Sequence, residues 1–202
     1  MDRFALWAQP WWVNLLLAIP FLTYFLWRRK GVLLTGGQFS LILLFGLAFG
    51  FVEAAVVVYL RAAIGALPGY QGTLADVVRM SAGYQQAQAI ELPPSLLTVE
   101  LFREAATIVM LVVLALLSGQ KARERWAVFL TAFAAWDMAY YAGLWAMVRW
   151  PASLKDSDIL FLIPVPWLSQ VWFPLLISSL TLVAVALVKN GKPADSGSSR
   201  VP

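Results

Sequence analysis

Apolar residues in this chain come in long runs, each closed by a short charged or turn-forming interval. A helix on the surface of a soluble domain needs only one apolar stripe, whereas a segment that is apolar all round needs apolar surroundings on every side. Runs of this kind stand at about 11–27, 39–60, 95–118, 126–148 and 168–188. A bilayer crossing takes roughly 20 residues. The pattern therefore predicts an all-α, polytopic integral membrane protein with five transmembrane helices. It assigns one transmembrane domain to 1–190 and a disordered, Gly-, Pro- and Ser-rich tail to 191–202.

The intervals between the runs set the expected topology. Arg28, Arg29 and Lys30 follow the first run, whereas a cleaved leader carries its charges in front, so the first run is read as a span. One side of the bundle takes nine basic residues (Arg28, Arg29, Lys30, Lys121, Arg123, Arg125, Lys189, Lys192, Arg200) against five on the other (Arg3, Arg61, Arg79, Arg149, Lys155). Basic residues stay on the cytoplasmic side. The expectation is a multi-pass protein of the cell inner membrane, N-terminus outside and C-terminus inside. Trp11, Trp12 and Trp27 read as interface anchors, as do most of the ten tryptophans, and Trp136 reads as a lipid contact, with stacking on a ligand beside Asp137 as the alternative. Pro20 and Pro174 are expected to kink their spans.

Two outer loops follow from this topology. The longer, 62–93, carries the turn signals Pro68-Gly69 and Gly72 and a surface helix expected from Thr73, with Asp76 as a weak capping partner. The other, 150–167, contains Asp156 and Asp158, read as caps or solvated loop groups. It closes with Ile159–Trp167, where Pro164 and Pro166 exclude a regular helix. A short helix, interfacial or re-entrant, is expected there before the last span. Both loops are candidate docking surfaces for other membrane subunits.

Composition narrows the chemistry. The chain is 61% hydrophobic and 13% charged, far from the near-even apolar share and quarter charged of soluble domains. It has no cysteine and no histidine. That argues against haem, iron–sulfur and typical zinc sites, so no cofactor is expected, and any metal would be a hard cation held by oxygen. The net charge of +4 comes from basic residues grouped on one side and reports topology, not nucleic-acid binding.

Charges inside the runs mark the candidate site. The third run carries Glu100, Arg103 and Glu104, and with Thr107 they form one helical stripe. The fourth repeats that spacing with Asp137, Tyr140, Tyr141 and Leu144. In the second, Gly46-x-x-x-Gly50 shares a face with Glu53 and lets a neighbouring helix approach closely. At about 1.5 Å of rise per residue, Glu53, Arg103, Glu104 and the two tyrosines all lie roughly 12–14 Å from the outer end, Glu100 about 7 Å and Asp137 about 18 Å. The candidate ligand-binding residues are therefore Glu53, Glu100, Arg103, Glu104, Asp137, Tyr140 and Tyr141.

Four of these are carboxylates and only Arg103 is basic, with Arg61 at the rim. The excess is relieved if some carboxyls hold protons, if a cation sits among them, or if a partner's basic residue enters. A purely architectural reading is that Arg103 pairs with Glu53 or Glu100 while the tyrosines hold the helices in register. Glu100, in the first turns of its helix, also complements the dipole. Three functional readings stay open. The first is binding or conduction of a cation or proton, the second a non-redox structural or assembly subunit of a larger membrane complex. The third, an enzyme modifying a lipid or isoprenoid, has no serine elbow, paired-aspartate motif or histidine dyad behind it.

Overall fold

Three of the five apolar runs form helices long and apolar enough to cross a membrane, namely Gly36–Leu60, Ser95–Ser118 and Ala122–Val148. The computed structural model describes residues 7–63 and 94–189. Among these the chain forms a 3₁₀ segment, Trp11–Leu17, that runs into α1 (Ala18–Trp27). Then come α2 (Gly36–Ala63), α3 (Pro94–Ser118), α4 (Ala122–Val148), strands β1 (Ser157–Phe161) and β2 (Trp167–Gln170), and α5 (Trp172–Val188). The expected surface helix from Thr73 and the expected disordered tail lie outside the described residues.

Helix α4 is the centre of the bundle and touches α2, α3 and α5. Burial covers 61% of its apolar window, against 28% and 22% for α2 and α3. The latter two turn Leu41, Leu44, Phe51, Phe102, Val109 and Leu117 outward, a surface suited to lipid and not to water. α2 meets α4 through small residues. A Cβ placed on Gly46 would stand 2.6 Å from the Ala132 carbonyl oxygen, and one on Gly50 would collide with the Trp136 carbonyl and Ala139. Gly143 repays the approach from the other side, with Ala54 against it. The two backbones thus touch because neither carries bulk at the crossing.

Both ends of the α1 unit are tied to both ends of the α5 unit. Gln9 and Leu168 exchange backbone hydrogen bonds of 2.8 and 2.7 Å, and the Val32 N–H donates to the Val188 carbonyl at 2.9 Å. The two helices therefore run side by side in the same direction. Val32, Leu34, Ala115, Ala127 and Val188 share one core cluster, which places the basic connectors 28–30 and 119–125 and Lys189 at one end of the molecule. At that end the α3–α4 connection is shorter than expected. Glu124 accepts the backbone N–H groups of Gln120 and Lys121 (3.1 and 3.0 Å), so α4 already starts at Ala122 and not near Trp126.

The expected short helix before the last span is instead a β-hairpin, so the described fold is not purely α-helical. β1 and β2 pair antiparallel, with Asp158 opposite Ser169 and Phe161 opposite Trp167, and with an irregularity between Ile159 and Phe161. The physical reason lies in the prolines. Pro164 and Pro166 lack the N–H a ladder needs, and both sit in the connection between the strands, where no ladder bond is lost. The last helix consequently begins at Trp172, not near Leu168. Pro174 stands in its first turn, where proline costs no helical hydrogen bond. Pro20 occupies the equivalent first turn of α1, directly after the 3₁₀ segment.

The hairpin reaches far into the bundle. Phe161 stacks on Phe133 with ring centroids 6.1 Å apart. Phe133 lies about 22 Å along the α4 axis from its end at Val148. Non-helical backbone at such depth must have its polar groups satisfied by protein. Here the ladder satisfies most of them, Gln9 takes the free edge of β2, and the tip is met by α3, as follows.

Candidate functional site

The hairpin, α2, α3, α4, α5 and the 3₁₀ segment enclose a cavity of about 170 Å³. All seven candidate residues line it: Glu53, Glu100, Arg103, Glu104, Asp137, Tyr140 and Tyr141. Asp158, Ser178 and Thr107 join them. The polar groups fall into three sets with different partners.

The first set is built on Arg103. Its guanidinium ion-pairs with Glu53 of α2 and with Glu100 one turn earlier on its own helix, and its Nε–H donates to Glu100 Oε2 at 2.9 Å. Thr107 donates its hydroxyl back to the Arg103 carbonyl at 3.1 Å. One fork-shaped cation thus takes up two acids from two helices, which suits arginine and not lysine. The Arg103 pairing with Glu53 and Glu100 is the arrangement of the architectural reading.

Glu104 forms the second set. Both of its oxygens accept from the Leu162 N–H (3.1 and 3.0 Å), and Oε1 also accepts from the Ile163 N–H at 3.2 Å. These two N–H groups belong to the hairpin tip. A carboxylate from a neighbouring helix supplies the acceptors that a dry environment would otherwise deny them. Glu104 is 7% exposed.

In the third set, Asp137 of α4 accepts a hydrogen bond of 2.8 Å from the Ser178 hydroxyl of α5. The Tyr141 hydroxyl donates to Asp158 Oδ2 at 2.8 Å, and Asp158 Oδ1 accepts its neighbour's N–H, that of Ile159, at 2.9 Å. The Tyr140 ring packs edge-on against Tyr141 at 5.2 Å. Among the described residues, no lysine or arginine pairs with Asp137. Nor do three acidic groups there stand close enough together to hold a metal ion.

Asp158 is the main residue that sequence reasoning misplaced. Expected as a cap or solvated loop group, it is 6% exposed and faces Tyr141. The signal lay in its neighbourhood: Ile159–Trp167 is too apolar for a water-facing loop and too short for a span, so the acid at its head is carried inward with it. Asp156 does cap its turn, accepting the Ala152 and Ser153 N–H groups. Ser178 gave no sequence signal, being an isolated hydroxyl in an apolar run. Trp136, expected against lipid, is 7% exposed and packs among Phe49, Phe133 and Phe161. The Arg61 side chain, expected at the rim, lies outside what is described.

No protein-family profile, curated protein or solved structure matches this chain.

Proposed function

We propose that this chain is a five-span inner-membrane protein, N-terminus outside, that binds a cation, the proton included, in the carboxylate-lined cavity, with Asp137 as the group that receives it. One observation carries the reading. Asp137 is a carboxylate about 16 Å inside the bundle whose hydrogen-bond partner is a single serine hydroxyl, with no basic side chain paired to it among the described residues. An uncompensated charge so placed is costly, and a bound cation or proton relieves it. Arg103 is already engaged by Glu53 and Glu100, and Glu104 by the hairpin tip. Asp137 is therefore the acid left to serve a ligand.

The five crossings are supported by length. A 3₁₀ segment rises about 2.0 Å per residue, so Trp11–Trp27 extends roughly 29 Å and α5 about 26 Å, against a hydrocarbon core of about 30 Å. The basic connectors grouped at one end support the orientation.

The test is ligand-dependent thermal unfolding of the purified protein. Titration with protons, Na⁺, K⁺ and methylammonium is expected to give saturable stabilisation by at least one of them. Asp137→Asn should abolish that response, while Asp156→Asn, on the loop turn, should keep it. The same stabilisation in Asp137→Asn as in the wild type rules the reading out.

A further inference from the structure

The carboxylate cavity has an apolar neighbour. A second chamber of about 510 Å³ adjoins it, and Glu104, Phe133, Phe161, Trp167 and Ser178 belong to both walls. The second chamber is lined almost wholly by apolar side chains, with Ile19 of α1, Ile108 of α3 and Phe129 of α4 facing one another across it. Glu104 and the rings of Phe133, Phe161 and Trp167 thus stand between a compartment that carries carboxylates and a larger apolar one.

One further detail bears on the occupant. Around the first chamber the described side chains include five carboxylates, those of Glu53, Glu100, Glu104, Asp137 and Asp158, and one guanidinium.

We infer that the two adjoining chambers together hold a single-chain amphiphile, with a protonated amine among the carboxylates and a hydrocarbon chain in the apolar chamber. This inference rests on the cation-binding reading and names its ligand class. A fatty acid has the wrong head charge for the first chamber. A small inorganic cation leaves the second chamber unused.

The experiment uses the full chain in lipid nanodiscs, with empty nanodiscs as the partition control and calorimetric titration as the readout. The probes are N-(2-aminoethyl)dodecanamide, which has amine, carbonyl and chain, then ethylammonium as head alone, and dodecanoate as chain with an anionic head. The amide-amine is expected to bind saturably, one per chain, at least about tenfold tighter than ethylammonium, a factor that two buried methylenes supply. Ala105→Trp, which fills the apolar chamber from an exposed position on α3, should remove that chain-dependent gain and leave ethylammonium binding as it was. Ala134→Met, from α4, should act in the same direction.

Equal affinity for the two amines overturns the amphiphile and leaves the cation reading standing. Dodecanoate binding as tightly as the amide-amine overturns it through the head. Failure of both amines to bind the folded wild type overturns it as well, and proton or metal-ion titration of the same sample then decides the cation reading separately.

Discussion

Arg103 and Glu104 are adjacent in sequence yet serve different neighbours, and their substitutions should separate accordingly. Arg103→Met leaves Glu53 and Glu100 facing each other without a cation. Breaking a buried pair in this way costs about 3–5 kcal/mol. Adding Glu53→Gln and Glu100→Gln to Arg103→Met should recover much of the loss, because the charges that needed compensation are then gone. Glu104→Leu strands the Leu162 and Ile163 N–H groups, at about 1–3 kcal/mol for each. Glu104→Gln keeps a carbonyl acceptor and should cost clearly less than Glu104→Leu. Denaturant titration in mixed micelles ranks the variants, and a Glu104→Gln as damaging as Glu104→Leu would mean that the charge, and not its acceptor oxygens, holds the hairpin tip. The acids and the arginine were legible from sequence because charged residues inside apolar runs are rare. Their division of labour was not, since the Glu104 partner is backbone from a segment 58 residues away.

Elements differ in how far local pattern decides them. The Gly46-x-x-x-Gly50 face had one physical use, close helix approach, and α4 is what approaches. Gly50→Ala should force α2 and α4 apart, at about 1–3 kcal/mol as for an overpacked core. Gly37→Ala meets nothing within 4 Å and should be neutral or slightly stabilising, since alanine is the better helix former. Similar melting points for the two variants would contradict this interface. The segment 157–170 is the opposite case. Its prolines ruled out a regular helix through that point and left a short one expected, and neither they nor its apolar residues said that the segment pairs with itself. The strands became readable only with Gln9 at one edge and the Glu104 carboxylate at the tip to complete the hydrogen bonding.

At the scale of the whole molecule, the absence of cysteine from the chain makes the proposed orientation directly testable. Single substitutions Ser153→Cys, in the exposed turn before β1, and Lys121→Cys, in the exposed turn before α4, should label oppositely in intact cells. A membrane-impermeant maleimide is expected to reach Cys at 153 and to reach Cys at 121 only after permeabilisation. The reverse pattern would invert the topology. The two chambers also belong to this scale. Their walls come from every described helix and from the hairpin, so no local stretch of sequence encodes them.

By itself the sequence determined that long apolar segments must be accommodated, where the bundle carries its charges, and that thiol and imidazole chemistry is missing. Those are consequences of composition and run length, which hold however the segments pack. Only the tertiary structure decided which acid has a cation and which has a hydroxyl, that Asp158 turns inward, and that an apolar chamber adjoins the carboxylate cavity. Each of these depends on partners far apart along the chain, and a buried polar group is defined by the partner it finds, not by its place in a run.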